Sequence, residues 1–236
     1  MNDRIVYIRE EERKYHESCY DNYKLFAEGS WLHKPVKTVM ETLGYFDEYE
    51  SLMILDLGCG VGRNSIPLAE SLKSRKGEVV VVDLLQSALD KLATYSQEFG
   101  VSEWIKPVNQ DIGDYIIHEN QFDYIVAVSA LEHVENVSKF NEVLANMNKG
   151  TNINGINCII MNTNIKKVDV ITGLELDPLM EINLDTDKAN ELLAMAYNGW
   201  KVISSTLNSL EFDIERNNRK IVLKGECVTY VVRRMI

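Results

Sequence analysis

The stretch that most restricts the fold runs from Ile54 to Ser65, ILDLGCGVGRNS. The apolar run Leu52–Leu57 has strand length, too short for a typical helix. Gly58, Gly60 and Gly62 then follow at alternate positions. Glycine costs backbone entropy wherever ordinary backbone would serve, so three in five residues mark a loop that needs unusual dihedrals or close approach. A strand that runs into such a loop and then into a helix opens a strand–turn–helix unit, the building block of parallel sheets.

The pattern continues downstream. Arg63–Ser74 reads as a helix, with Gly77 as its stop, and Glu78–Val82 as a second strand. A helix is expected over Ser87–Glu98, with Leu85, Leu89, Leu92 and Phe99 on one side. Ser87 and Asp90 resemble a capping box, and Gly100 stands where a C-terminal cap belongs. Ile105–Asn109 and Phe122–Val128 read as strands three and four. Phe140, Val143, Leu144 and Met147 recur at helical spacing, and the turn Asn154-Gly155 leads into a fifth strand, Ile156–Met161. Continuously apolar strands alternating with helices imply a parallel sheet covered on both faces. After a helix marked by Ala189, Leu192, Leu193 and Ala196 and ended by Gly199, the segments WKVISSTL and KIVLKGECVTYVVRRM read as strands with little helix between them. Strands joined without a crossover pair antiparallel. The expected fold is therefore α/β: a doubly wound, Rossmann-like, seven-stranded sheet with an antiparallel C-terminal hairpin. Glu11–Phe26 and Val36–Phe46 read as two helices ahead of it, which divides the chain into a helical cap over the active site, 1–50, and a ligand-binding domain, 51–236.

Composition narrows the partners. The 236 residues carry a formal net charge of −11, which repels phosphate backbones and argues against a nucleic-acid substrate. Cys19, Cys59, Cys158 and Cys227 are widely spaced, with no CxxC pair, so neither a zinc site nor a disulfide framework is expected. The charged N-terminus lacks an apolar signal-peptide core, and no apolar run is long enough to cross a bilayer. The expectation is a cytoplasmic protein with no metal, no membrane partner and a small-molecule substrate.

The glycine loop discriminates between ligands. A tight turn would need one glycine. The spacing G-x-G-x-G misses the dinucleotide pattern G-x-G-x-x-G, and no Gly-Lys-Ser/Thr follows as a phosphate loop requires. What ILDLGCGVGRNS does resemble is motif I of the class I S-adenosylmethionine (SAM)-dependent methyltransferases. The chemistry is consistent: SAM has no phosphates, but its sugar and amino-acid tail need close backbone approach, and its ammonium and sulfonium favour a nearby carboxylate such as Asp56. The resemblance implies a cofactor site of Asp56, Gly58, Cys59, Gly60, Gly62 and Asn64. Asp83 lies at the end of strand two, about where an acid that binds ribose hydroxyls belongs, and Leu84 would pack on the adenine. Asp111 and Ile112 match the family's adenine-amine contacts, with an N-cap as the other reading of Asp111. Ser129 and Leu131, in VSALEHV, match the segment that passes beneath the methionine moiety.

A narrower resemblance is to the tellurite-resistance (TehB-like) branch of small methyltransferases. It rests on LDLGCGVGRNSIPLA and on NELLAMAYNGWKV; it is good over Met53–Ala69 and weak between Asn162 and Leu184, where the acceptor pocket belongs. No Asn/Asp-Pro-Pro-Tyr/Phe motif is present, which argues against adenine-N6 and glutamine methylation. The implied reaction is direct in-line methyl transfer to a small acceptor: a thiol, an amine or a tellurite-like oxyanion, with S-adenosylhomocysteine as product. A SAM-binding regulatory protein without turnover and a nicotinamide-dependent oxidoreductase are the competing readings. Among the aromatic residues of YDNYKLFAEGSWLHKPV, Tyr23 and Trp31 are expected to cover SAM, and Phe26 to be packing. His33, His133 and Asn162 are the candidate acid–base or orienting groups. Oligomeric state is left open.

Overall fold

The structure, a computed structural model, describes residues 3–216 and 219–235. One mixed sheet organises the chain. Its first half is β1 (Ser51–Leu57), β2 (Lys76–Asp83), β3 (Ile105–Asn109) and β4 (Phe122–Val128), and its second half is β5 (Thr151–Asp169), the short β6 (Glu175–Leu176), β7 (Lys201–Arg216) and β8 (Arg219–Arg233). The order is β3-β2-β1-β4-β5-β8-β7, with β6 paired to β5. The first five strands along this order pair in parallel, and β8 pairs antiparallel with both β5 and β7. This is the expected doubly wound sheet with an antiparallel C-terminal hairpin, enlarged by the two-residue β6.

Alternate residues of each strand face opposite sides of the sheet, and both sides are buried. Ile54, Val79, Val81, Tyr124 and Val126 pack beneath α2 (Lys37–Leu43), α3 (Ser65–Glu70) and α4 (Gln86–Glu98). Leu55, Leu57, Val80, Val82, Ile125 and Ala127 pack beneath α5 (Val137–Gly150) and α6 (Thr186–Ala196). Another helix, α1 (Asp3–Asn22), is tied to the first turn of α4 and to the loop that follows β3.

Several local expectations are corrected. The helix expected over Arg63–Ser74 is α3 followed by a 3-10 turn, Ser71–Ser74. Gly77 is not its stop: it lies inside β2 with φ +136, where an added Cβ would stand 2.0 Å from the Leu52 carbonyl oxygen. The Ser87–Asp90 capping box does not form; Ser87 Oγ donates to Glu17 on α1, and Asp90 accepts from Gln86. Asn154-Gly155 is an irregularity within β5, which begins at Thr151 and runs 19 residues. The first helix begins at Asp3 and ends at Asn22, earlier than its spacing suggested.

Candidate cofactor and active site

Ligands of doubly wound sheets sit at the carboxyl ends of the strands, and the candidate residues gather there. Gly58, Gly60 and Gly62 all have positive φ, at 71°, 53° and 94°. At Gly58 space is the tighter constraint, because an added Cβ would lie 2.5 Å from the Ala130 Cβ. The loop is pinned to β2 from two sides. The Gly58 and Cys59 N–H groups donate to the Val82 carbonyl at 2.8 and 3.2 Å, and the Gly60 N–H donates to Asp83 Oδ2 at 2.7 Å.

Asp83 also accepts the Leu85 N–H, at 2.9 Å through Oδ1. Burial pushes its carboxyl above the usual range, against the pull of the Leu85 and Gly60 N–H groups. Each carboxylate oxygen has two lone pairs, so one bond to each leaves acceptor capacity for a diol. Leu84, beside it, is 46% exposed, an apolar face open for a flat ring.

Asp56 lies deeper than the loop. It is buried and accepts a 2.6 Å hydrogen bond from Ser65 Oγ at the start of α3. Burial pushes its carboxyl up to about 7, with the Ser65 bond opposing. Asn64 turns toward the cap segment, its Oδ1 accepting the Val36 N–H at 2.9 Å. Cys59 is buried, its Sγ against the Gly60 carbonyl at 3.5 Å. No helix follows Asp111, so it is not an N-cap; it closes a turn, accepting the Gly113 N–H through Oδ1, and its Oδ2 takes a 2.7 Å ion pair from Arg9 of α1. Ile112 and Leu131 are buried beside α5, and Ser129 adopts φ +49 while its N–H donates to the Ile160 carbonyl at 2.7 Å.

The N-terminal segment contributes Trp31 and Tyr20 to this end. Arg63 sits over the Trp31 ring, 5.2 Å from its centroid, and donates to the Trp31 carbonyl at 2.8 Å. Tyr20 is buried, its ring 6.2 Å from Trp31 and its hydroxyl facing Gly60. Tyr23 lies apart from this group, half-exposed against Gly29. Phe26 is packing, with its ring edge-on to Phe99 at 5.4 Å.

A second, more polar group stands beyond β4. His133 Nδ1 lies 3.1 Å from Glu181 Oε2, and Glu181 Oε1 lies 3.7 Å from Arg9 Nε. Burial disfavours the His133 cation, yet the hydrogen bond to Glu181 and the charges of Glu132, Glu181 and Glu12 outweigh it and raise the imidazole to about 9. Glu132 is fully buried; its Oε1 accepts both the N–H and the side-chain amide of Asn162, at 3.0 and 2.8 Å. His33 stays outside this group, 3.9 Å from Glu28. Among the described residues no group of His, Cys, Asp and Glu could hold a metal, and no helix is long and apolar enough to cross a membrane.

Arg9 and Glu181 were not singled out by sequence. Arg9 belongs to the charged run IREEERKYHE, which reads as a solvated helix face. Glu181 lies in the segment of weakest resemblance and reaches His133 across 48 residues of chain. No local spacing carries that contact.

The donor set fits SAM: a buried carboxylate with spare acceptor capacity, glycine backbone, an exposed apolar face, and charges of both signs for an amino-acid tail. Residues 54–155 match a family described as a methyltransferase domain. The chain is 33% identical over 98 residues to a ubiquinone biosynthesis O-methyltransferase of Rickettsia felis, spanning 41% of this chain and 36% of that protein. It is 29% identical over 131 residues to the Rickettsia canadensis protein of the same name, spanning 55% and 50%. The chain thus spans half or less of the length of these two relatives. In fold it is similar to TehB from Haemophilus influenzae, with a TM-score of 0.63 and 20% identity over 84% of this chain and 62% of that one. Residues 54–155, which match the methyltransferase-domain family, hold the glycine loop, Asp83 and the end of β4, and the fold around them is shared with TehB.

Proposed function

We propose that this chain transfers the methyl group of SAM to an oxygen of a small hydroxylated molecule, with His133 taking the acceptor's proton. The observation that carries this reading is the His133–Glu181 pair, a candidate base and the carboxylate that orients it. Asp83 is also close enough for the His133 charge to lower its carboxyl. A thiolate or a neutral amine needs no base before attack, whereas a hydroxyl does. The relatives named as O-methyltransferases point the same way.

SAM, when bound, supplies a methyl group already activated by its sulfonium. What remains for the protein is positioning, with the acceptor oxygen roughly 3–3.5 Å from the methyl carbon and in line with the sulfur. Asp83 would accept the ribose hydroxyls and Leu84 would cover the adenine. Glu181 holds one nitrogen of His133, leaving the other for the acceptor hydroxyl. A phenolic proton, with pKa about 10, is closely matched to an imidazole raised to about 9. Residues 1–50 act as the cap. Arg9, Glu17 and Asp21 tie α1 to Asp111, Ser87 and Lys91.

The pH profile tests the mechanism. At neutral pH His133 is a cation, so kcat/KM with a phenol or catechol should rise with pH and level off near 9. Glu181→Gln removes the group that raises the imidazole and should move the rise toward ordinary histidine, about 6.5. His133→Gln should abolish the rise and lower kcat by roughly 10²–10⁴-fold. Methylation of thiols or amines but no hydroxyl, or a profile that ignores Glu181→Gln, overturns the reading. Tight SAM binding with no turnover on any acceptor would leave a regulatory SAM-binding protein.

A further inference from the structure

The sheet has two edges, and the chain treats them differently. β3 closes one end of the strand order and β7 the other. β3 is five residues long, IKPVN, and carries Lys106 and Pro107. Short length, a charged side chain and a proline are what keep an edge from recruiting another strand. β7 runs 16 residues. Its one register shift comes at its start, between Val202 and Ser204. From Val202 to Asp213, VISSTLNSLEFD, there is no lysine, arginine, proline or glycine, and none of these residues is buried. Among the described residues β7 pairs with β8 alone. The backbone N–H and C=O groups on its other side therefore face outward along a long, unblocked edge.

The charges of the strand select its partner. Lys201 opens β7, and Glu211 and Asp213 lie toward its far end. A second β7 laid antiparallel and centred on Leu207 brings Lys201 of each copy to the acidic end of the other. Laid parallel in register, it would set the two carboxylates against themselves. Glu211 is already held to Lys224 of β8 at 3.3 Å, which leaves Asp213 for that contact. Leu207 and Phe212 are 50% and 51% exposed. Five residues apart in a stretch without a register shift, they point to opposite faces of the sheet. An added strand covers apolar surface on both faces, whereas a partner lying on one face would cover only one of the two. We propose that two copies of this chain pair β7 to β7, antiparallel about a twofold axis near Leu207, and so join their sheets into one. The interface is isologous and β3 is blocked, so assembly stops at a dimer.

Sedimentation equilibrium tests this. The wild-type chain should show a monomer–dimer equilibrium with no larger species, and hydrogen exchange in β7 should slow as concentration rises. Leu207→Lys sets like charges at the axis and should weaken self-association by roughly 100-fold or more. Its circular dichroism and melting should match the wild type, because the position is half exposed on an edge. Lys201→Glu turns two exposed pairs from attraction to repulsion and should weaken the dimer by roughly 10-fold. Adding Asp213→Lys to that variant should recover most of the loss. A wild-type chain that stays monomeric at every concentration overturns the proposal. So does a dimer that survives Leu207→Lys, which must use another surface, or growth into larger assemblies, which means that the edges do not close. A charge swap without recovery rejects the antiparallel pairing.

Discussion

The two halves of the sheet present different kinds of polar group at their ends. On the parallel side, β1, β2 and β4 run into short loops in which backbone does much of the work: three glycines at positive φ, N–H groups on Asp83, and Ala130 against Gly58. On the antiparallel side, β5 runs 19 residues and pairs with β8 along most of its length. The polar groups near it, Asn162, Glu181 and Glu132, are side chains assembled from distant segments. Backbone sites tolerate little substitution, because a Cβ or a changed dihedral alters the loop itself. Side-chain sites can change specificity without disturbing the fold. In the proposed function the donor belongs to the first half and the acceptor to the second, with α1 reaching both through the Arg9 pairs to Asp111 and Glu181.

That contrast can be broken at its strongest point first. Gly58→Ala forces a Cβ to 2.5 Å from Ala130 at a φ of +71°. It should cost about 2–5 kcal/mol of stability, measured by urea denaturation, and abolish SAM binding. A stable variant that binds SAM normally would show that the loop is not rigid. Next in size, Asp83→Ala should reduce affinity for SAM and for methylthioadenosine alike, by roughly 10-fold or more, because both carry the ribose. Calorimetry that shows methylthioadenosine unaffected would remove the ribose role. The smallest effect is expected at the bridge. Arg9→Met breaks its pairs with Asp111 and Glu181. Hydrogen exchange should show faster opening of α1, and acceptor KM should change by a few fold (about 0.5–1 kcal/mol for partly exposed pairs). Donor affinity should be nearly unchanged; an equal loss in both would mean that α1 supports the two sites alike and overturn its assignment to the acceptor side.

The sequence was most legible where function depends on backbone. Strand three, Ile105–Asn109, and strand four, Phe122–Val128, have the expected bounds, and the glycine loop and Asp83 fall at the expected strand ends. Local punctuation was less legible. Gly77 looked like a helix stop because a glycine behind a helical pattern usually is one, yet it is a strand residue pressed on Leu52. Ser87 and Asp90 had capping-box spacing, but Ser87 found Glu17 on another helix. In each case a tertiary contact displaced a local preference. Trp31 lies against Arg63 of the loop, whereas Tyr23, three residues from Tyr20, lies against Gly29.

What the sequence by itself determined is the glycine loop and its acid: G-x-G-x-G after an apolar strand, with an acid at the end of the next. Those residues are close along the chain, and their spacing reflects backbone geometry. What only the tertiary structure decided is the polar group beyond β4 and its tie to α1. His133 meets Glu181 across 48 residues, and Arg9 meets Asp111 across 102. Such contacts leave no periodic trace, because they depend on how β5, the segment before α6 and the N-terminal helix are brought together by burial of the two apolar layers. The raised imidazole of His133 follows chiefly from Glu181 in that assembly, with Glu132 beside it in the chain adding to the effect.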